Sequence, residues 1–310
     1  MSEELKTFII QRACALDFGQ VGVARAEPLP EHGLRSWLQA GLHGQMSYMA
    51  RDPELRLDPR LLLAGAASII VLSSNYYYSA EDETDSARGI VARYARGDDY
   101  HEVLVAKLKR LVEEIRERAP AAQTRIAVDS APVLEKEWAR RSGIGWMGKH
   151  SCIISPLYGS WIFLSEIIID LKLPADQPME DRCGSCRLCL DACPTGALIR
   201  PYVVDSRKCI SALTQLKADQ PIPVERQAAM GNRLFGCDLC QQVCPWNQKS
   251  TKPTLESAFL PRPHFLSPRL TDLAGWDTQT FQRMTRRSPI RRTGYAGWMR
   301  NVQIALKNSG

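Results

Sequence analysis

The cysteines between residues 183 and 244 carry the clearest chemical signal in the sequence. The first block reads CGSCRLCLDACP, with the spacing C-x2-C-x2-C-x3-C-P, and a second block reads CDLCQQVCP. Two-residue spacers let successive thiolates face one small iron–sulfur cube, and the fourth cysteine of such a run ligates a second cube. The pattern therefore predicts two 4Fe–4S clusters, which transfer one electron at a time.

The second block lacks one thiolate, and the lone Cys209 between the blocks supplies it most simply. Two sets of four result: the first cysteine set is Cys183, Cys186, Cys189 and Cys244, and the second cysteine set is Cys193, Cys209, Cys237 and Cys240. Zinc is the main alternative, but zinc ribbons rarely carry three cysteines at this spacing before C-P. Disulfides are typical of small secreted chains, which a sequence of 310 residues without a visible export signal does not resemble.

Asp129 is a second candidate for chemistry, because it ends the predicted strand TRIAVD just before a helix predicted from Pro132 to about Ser142. Open α/β sheets bind ligands at the carboxyl ends of their strands. A carboxylate in this position can instead cap the helix, and the local sequence by itself favours that role. Three glycines follow in GIGWMGKHSC, which is too glycine-rich for the interior of an element and lets the backbone approach another group closely.

Hydrophobic periodicity predicts the elements that position these groups. Helices are expected over residues 3–17, 34–40 and 102–118, and strands at QVGVARA, ASIIVLSSNYY, GIVARY, TRIAVD, CIIS and GSWIFLSEIIID. A turn is expected from Arg96 to His101, before the third helix. The alternation over residues 1–170 predicts one α/β or α+β domain. No GxGxxG sequence follows a strand and no GxxxxGKS/T sequence occurs, which argues against dinucleotide and P-loop sites.

The charge is unevenly distributed along the chain. The net charge is +6, but the segment after residue 280 contains six arginines, one lysine and no acidic residue, so the remainder sums to about −1. Such a basic segment is typical of nucleic-acid binding, although a solvated helix face has the same composition. The chain has no apolar run of the roughly eighteen residues that a membrane span needs. Oxygen-sensitive clusters and the unpaired Cys14 favour a cytoplasmic location.

Four stretches together resemble one family. They are RYARGDDYH, VDSAPVLEKEWARRSGIGWMGKHSCII with its following GSWIFLSEI, the CGSCRLCLDACPTGAL block and the CDLCQQVCPWN block. The sequence is similar to the epoxyqueuosine reductases, cobalamin-dependent iron–sulfur enzymes that complete queuosine in tRNA. The ferredoxin blocks occur in many redox proteins, so the VDSAP and GIGWMGKHSC stretches make the resemblance specific.

The resemblance implies a division into three parts. These are a cobalamin-binding catalytic domain over residues 1–172, a ferredoxin-like domain with two 4Fe–4S clusters over 173–250, and a short basic helical segment over 251–310. The first domain is expected to resemble the corrinoid-binding domain of reductive dehalogenases, with a mixed sheet flanked by helices. The chain is expected to lack the HEAT-like repeat of longer family members, and to be a monomer.

The resemblance also implies the reaction, in which the epoxide oxygen of epoxyqueuosine leaves as water at the wobble position of a tRNA anticodon. Two electrons and two protons are consumed, base-off cobalamin is the reductant, and a flavodoxin or ferredoxin system is the donor. The family's catalytic aspartate falls on Asp129, expected to be protonated because burial beneath the corrin ring raises its pKa. The positions expected near the cofactor or substrate are Arg56, Tyr100, His101, Asp129 and Ser160.

Some positions depart from the family pattern. His150 and Ser151 stand where Asn-Thr is more frequent, and Ser130 and Ala131 stand where Thr-Gly is common. The basic segment is expected to bind tRNA through its arginines, which are Arg283, Arg286, Arg287, Arg291, Arg292 and Arg300. A corrinoid reductive dehalogenase and a simple ferredoxin-type electron carrier remain the alternative functions.

Overall fold

The strands and helices of the chain are given by a computed structural model, which describes residues 2–29, 32–79, 85–249 and 252–310. Within these ranges the strands, β1 to β10 in chain order, are Gln20–Arg25, Ser68–Asn75, Ile90–Val91, Thr124–Ala127, Trp146–Met147, Ile153–Ile154, Ile162–Ile169, Leu198–Arg200, Val203–Val204 and Arg233–Phe235. The α-helices, α1 to α14, are Ser2–Ala15, Leu34–Gln39, Pro53–Leu57, Tyr100–Arg118, Glu135–Arg141, Leu188–Asp191, Ile210–Thr214, Val224–Met230, Leu239–Gln242, Pro245–Lys249, Pro263–Leu266, Leu270–Ala274, Thr278–Met284 and Gly294–Ser309.

The main sheet has four strands in the order β1-β2-β7-β4. All three of its strand pairs are antiparallel, so the prediction of a mixed sheet is wrong for this sheet. The reason is that β2 and β4 both pair with β7, a strand far along the chain, and periodicity within a strand carries no information about the direction of its neighbour. A parallel pair occurs elsewhere, between β3 and β10.

Both faces of this sheet are covered by helices. On one face α1 and α4 pack against β2 and β7, and the predicted stripe of α4 is buried there: Leu104, Leu108, Leu111, Val112 and Ile115. On the other face α5 contributes Trp138 and Ala139, which pack against Ile69 and Ile168. The sheet is therefore the middle layer of an α+β domain, and its two faces supply separate hydrophobic cores.

The helix α4 begins at Tyr100, so Tyr100 and His101 are its first residues and the turn predicted to hold them is wrong at these two positions. The side chain of Asp99 accepts a hydrogen bond from the His101 backbone N–H and caps the helix. The start of the helix was predicted from its apolar stripe. Because Asp99 caps the helix, the helix begins before that stripe.

The glycine-rich segment after α5 contains a short strand, contrary to the prediction that it holds no element. Trp146 and Met147 form β5, which pairs with β6. The partner of β6 is therefore β5 and not β7. A Cβ on Gly145 would lie 2.2 Å from the carbonyl oxygen of Ile154 on β6. This glycine therefore permits a close approach of two backbones within the protein.

The predicted second and third parts share a core with the first. Val91 and Ala95 pack with Phe235 from the cysteine region and with Trp298 from α14. Asn301 of α14 donates hydrogen bonds from its amide to the carbonyls of Thr214 and Leu234. Residues 250 and 251, where the second domain boundary was predicted, lie outside the described residues. In the part of the chain that the structure describes, no helix is both long and apolar enough to cross a membrane.

Candidate active site and cysteine sets

The cysteines lie on and around two short helices that pack against each other, α6 and α9. All ten cysteines of the chain are free thiols. Cys189 on α6 and Cys244 just after α9 are buried, whereas Cys183 and Cys186 are partly exposed. No point among the described residues is approached by three or more His, Cys, Asp or Glu side chains in a manner suited to one metal ion. The thiols are arranged as two wider groups.

The charges that act on Cys189 and Cys240 come mainly from members of the sets assigned from spacing, with Cys152 as an additional neighbour of Cys240. Burial raises the pKa of Cys189 to about 11, and the charges of Cys244, Cys183 and Cys186 raise it further. These four residues form the first cysteine set. In the second set, burial raises the pKa of Cys240, and the nearby charges of Cys237 and Cys209 act in the same direction. Cys209 in turn has Cys193 as a neighbour. The assignment of all eight cysteines as cluster ligands stays a prediction.

Cys152 was not predicted as a functional residue, yet it is an electrostatic neighbour of the second set. Its charge acts on Cys240 and Cys209 of the second set. Its backbone N–H donates a hydrogen bond to Nδ1 of the buried His150, which also faces Cys244 of the first set. A cysteine outside the C-x2-C blocks carries no spacing signal, so only the fold reveals this position.

Asp129 is held in an unusual conformation by three hydrogen bonds. Its φ of 46° lies in the left-handed region, which aspartate tolerates better than most residues. Its Oδ2 accepts a hydrogen bond from the Tyr100 hydroxyl at 2.6 Å and lies 2.9 Å from His101 Nε2. Its backbone N–H donates to the carboxylate of Glu135. Because α5 begins only at Glu135, Asp129 does not cap this helix, and the prediction that the helix begins at Pro132 is wrong.

His101 connects Asp129 to a second carboxylate. Its Nδ1 lies 2.7 Å from Asp99 Oδ1, while its Nε2 faces Asp129. Arg292, on the C-terminal segment, places Nη1 2.9 Å from the same Nε2 and Nη2 3.6 Å from Asp99 Oδ2. An imidazolium donates to both carboxylates, whereas the guanidinium of Arg292 can only donate and needs Nε2 as an acceptor, so the protonation state of His101 decides whether Nε2 bonds Asp129 or Arg292.

The hydrogen bonds around Asp129 shift its proton equilibrium. Burial against its neighbours raises the pKa of Asp129, but hydrogen bonds from His101 and Tyr100 outweigh it and leave the pKa below its usual value. Conversely, burial lowers the pKa of His101, while its hydrogen bonds to Asp129 and Asp99 raise it above the usual value. The Asp129 side chain is 51% exposed, which weakens the effect of burial. Among the protein groups alone the balance favours the ionised form of Asp129, and the predicted effect of burial beneath a corrin ring stays a prediction.

Tyr100 remains a hydrogen-bond donor to Asp129. Burial and then the charge of Asp129 raise the pKa of Tyr100 well above its usual value. Its ring stacks on Phe163 with centroids 4.2 Å apart and planes 7° apart. The ring centroid of Tyr94 lies 6.3 Å from that of Tyr100, with the planes at 77°. Burial, followed by the charges of Asp238 and Asp129, raises the pKa of Tyr94.

Arg56 is buried near Asp129 with spare hydrogen-bonding capacity. It is 8% exposed, and its Nη2 donates to the carbonyl of Tyr48. Burial, followed by the charge of Asp129, raises the pKa of the Tyr48 hydroxyl, and the charge of Arg56 lowers it. Its Nε has no partner among the described residues, and neither does the Oγ of Ser151, which adjoins Lys136. Buried polar groups without partners are rare. These atoms suit a polar ligand rich in amide groups, such as a corrin ring.

Ser160 is tied into the protein by its own contacts. It is 3% exposed, its Oγ donates to Gln241 Oε1, and the same Oγ accepts from Asn247 Nδ2. Its backbone N–H donates to Asn247 Oδ1. Both partners belong to the CDLCQQVCPWN block, so Ser160 joins the start of β7 to the cysteine region. Its contact with a cofactor stays a prediction.

The arginines of the basic segment separate into different environments. Arg286, Arg287, Arg291 and Arg292 border an open hollow of about 470 Å³, together with Asp99, Glu102 and Ser288. Arg300 instead donates to the carbonyls of Leu216, Lys217 and Gln220 and is half-buried. We therefore correct the prediction that all six arginines face nucleic acid, because Arg300 ties α14 to the cysteine region.

Comparison with known proteins identifies relatives over almost the whole chain. A family model described as "4Fe-4S double cluster binding domain" matches residues 182–247, and one described as "Epoxyqueuosine reductase QueG, DUF1730" matches residues 56–130. The epoxyqueuosine reductase of Escherichia coli K12 is 42% identical over 311 residues, covering 99% of this chain and 82% of the relative.

Solved structures give the same result. An epoxyqueuosine reductase crystallised with an epoxyqueuosine-modified tRNA-Tyr stem loop superposes with a TM-score of 0.92 at 34% identity, covering 99% of this chain and 82% of the other. The Bacillus subtilis epoxyqueuosine reductase, solved with an aspartate-bearing catalytic loop swung out of its active site, gives a TM-score of 0.91 at 34% identity over the same shares.

Proposed function

The chain belongs to the epoxyqueuosine reductase family, and from that premise we propose that it reduces the epoxide of epoxyqueuosine to queuosine at the wobble position of tRNA. The observation that carries the proposal is the hydrogen-bonded group of Asp129, His101 and Tyr100, in a chain that also carries the eight cysteines of the two sets. It combines a proton donor with an electron-transfer centre, and reductive loss of an epoxide oxygen needs both.

The residues fit the two kinds of cofactor that this function requires. Eight free thiols in two groups of four match the ligand sets of two 4Fe–4S clusters, which supply one-electron transfer. Buried polar atoms without partners, at Arg56 and Ser151, fit the amide-bearing edge of cobalamin, which when bound supplies a strongly reducing cobalt. We assign Arg56 to the corrin periphery and Tyr100, His101 and Asp129 to the reacting face.

The chain's own contribution is to move a proton to the leaving oxygen. Asp129 has a lowered pKa and is ionised at rest, so the proton comes from the imidazolium of His101, 2.9 Å away. Transfer from His101 to Asp129 Oδ2 forms the carboxylic acid that protonates the oxygen. Asp99, whose Oδ1 faces Nδ1 of His101, stabilises the imidazolium and orients the ring. Tyr100 keeps its proton and fixes the Asp129 carboxylate by a neutral hydrogen bond.

The direct test is anaerobic turnover of an anticodon stem loop that carries epoxyqueuosine, with purified protein that contains both cofactors and a low-potential chemical reductant. We expect mass spectrometry of the nucleoside to show loss of one oxygen atom. A loaded protein that leaves the epoxide unchanged, yet releases halide from an organohalide, would instead favour the dehalogenase alternative. In the cell, a flavodoxin or ferredoxin system is the proposed donor, and the enzyme is proposed to act as a monomer.

Turnover is expected to depend on the protonation of His101. The pKa of His101 is raised in the folded chain, so the imidazolium is present below that pKa and is lost as pH rises through it. The turnover number should therefore fall as the pH rises through the raised pKa of His101. In His101→Asn it should fall about 100-fold, with little remaining alkaline dependence. A pH series at saturating stem loop measures both effects, and an unchanged pH profile in the variant would remove His101 from proton delivery.

The hollow lined by Arg286, Arg287, Arg291 and Arg292 is the proposed contact for tRNA phosphates. Arg292 also reaches Asp99, so a phosphate bound here would lie close to the reacting residues. We expect the double variant Arg286→Ala/Arg291→Ala to weaken stem-loop binding and to reduce the slope of log Kd against log salt by about 1 to 2.

The control for this measurement removes equal charge elsewhere. Lys109→Ala/Arg110→Ala lies on the exposed face of α4, and neither side chain borders the hollow. It should leave the salt slope close to that of the wild type. Equal loss of slope in both double variants would mean that the arginines act only through net charge.

A further inference from the structure

Glu166 is a carboxyl group in the middle of the main sheet that the reaction described above does not use. It lies on the interior strand β7, where it pairs with Val71 of β2 and Ala127 of β4. It is 0% exposed. Alternation along β7 places it on the same face as Ile168, which packs against α5 in an apolar core. An acid at such a position needs a specific reason.

The protonation state of Glu166 follows from its surroundings. Neither carboxyl oxygen accepts a hydrogen bond from any donor among the described residues. An ionised carboxylate without partners is very costly to bury, so the group stays neutral. Burial is the main reason that the pKa of Glu166 is raised well above its usual value, and the charge of Glu135 raises it further.

Glu135 is the group with which Glu166 can share its proton, because α5 packs on β7 and the Glu135 side chain lies within hydrogen-bonding reach of Glu166. It is the first residue of α5, and one of its carboxyl oxygens accepts the backbone N–H of Asp129. Burial, followed by the charge of Asp129, raises the pKa of Glu135 to about 8. A protonated carboxyl group has one O–H donor, and an ionised one has only acceptors. Two carboxyl groups side by side are therefore satisfied when one proton lies between them.

We propose that Glu166 donates its proton in a hydrogen bond to Glu135, and that this pair positions the Asp129 segment by accepting the Asp129 backbone N–H; the functional part rests on the proposed role of Asp129. Asp129 has a φ of 46°, a conformation that persists only where the surroundings enforce it. The charged groups that face the pair are Asp129, Lys136 and His101. Glu135 and Glu166 are thus positioning residues behind the reacting carboxylate.

The shared proton is tested by infrared spectroscopy of the protein at neutral pH. We expect a carbonyl-stretch band from a buried protonated carboxylic acid, and we expect Glu166→Gln to lower its intensity and shift what remains, because Glu135 then loses its carboxylic-acid partner. Glu137→Gln is the matched control, since Glu137 lies on the same helix but pairs with Arg140 and Arg141. Absence of the band from the wild type, or an unchanged band in Glu166→Gln, would overturn the proposal.

The positioning role is tested by amide hydrogen exchange over residues 128–134. Glu135→Ala removes the acceptor for the Asp129 N–H, so exchange in this segment should accelerate about 10-fold, and Glu166→Leu should do the same. Glu166→Gln keeps a donor toward Glu135 and should stay within about twofold of the wild type, as should Glu137→Gln. Unchanged exchange in Glu135→Ala would contradict the role, and so would equal acceleration in Glu166→Gln and Glu166→Leu.

Steady-state kinetics separate this inference from the proposed function. In Glu135→Ala we expect the turnover number to fall about 10- to 100-fold while KM for the stem loop stays within about twofold. If Asp129→Asn were fully active, the proposed function of Asp129 would fail, although the infrared and exchange results could still show the carboxyl pair. If Asp129→Asn were inactive and Glu135→Ala behaved like the wild type, only the positioning role would fail.

Discussion

Asparagine in place of Asp129 is expected to reduce epoxide turnover by about 100-fold or more, because the side-chain amide cannot deliver a proton to the leaving oxygen. The amide oxygen can still accept the hydrogen bond from Tyr100, and the backbone N–H can still donate to Glu135. The variant should therefore fold and retain both cofactors. Single-turnover assays with epoxyqueuosine-bearing stem loop, alongside the visible spectrum of the loaded protein, measure the two properties separately.

The control for this variant is Asp17→Asn. Asp17 is also an exposed aspartate with left-handed backbone, at φ 59°, but it lies between α1 and β1. It should keep full turnover, which excludes a general effect of replacing aspartate in this conformation. Turnover of Asp129→Asn at the wild-type rate would remove Asp129 from the mechanism.

Serine in place of Cys240 is expected to abolish turnover through loss of one cluster. The cysteine pattern predicts about eight iron atoms per chain in two clusters, and the variant should retain about four. Cys240 is the choice because the charges of Cys237 and Cys209, both assigned to the same set, act on its thiol. Iron and sulfide analysis after anaerobic purification measures the loss directly.

The matched control is Cys14→Ser, which replaces an exposed cysteine on α1 outside both sets. It should keep the iron content, the spectrum and the turnover of the wild type. Full iron content in Cys240→Ser would refute the assignment of Cys240 as a ligand. Zinc in place of iron in the anaerobically purified wild type would refute the cluster prediction as a whole.

The sequence by itself was sufficient to predict the cofactor chemistry and the family. The ligand spacing of an iron–sulfur site is a local property, so C-x2-C-x2-C-x3-C-P can be recognised without a fold. The apolar stripe of α4 was predicted for the same reason, since its members recur every three or four residues. The direction of strand pairing was not, because β2 and β7 are separated by most of the first domain and alternation is the same in either direction.

Only the tertiary structure decided the protonation of the site. Arg292 reaches His101 across 191 positions of sequence, and Cys152 acts on the second cysteine set without belonging to any motif. Glu166 was part of a strand that reads as apolar, and its partner Glu135 lies on a helix packed over that strand. The balance between burial and hydrogen bonding sets each pKa, and it depends on groups that only folding brings together. Residue types and spacing therefore determined which chemistry is available, and the packed fold determined where its protons reside.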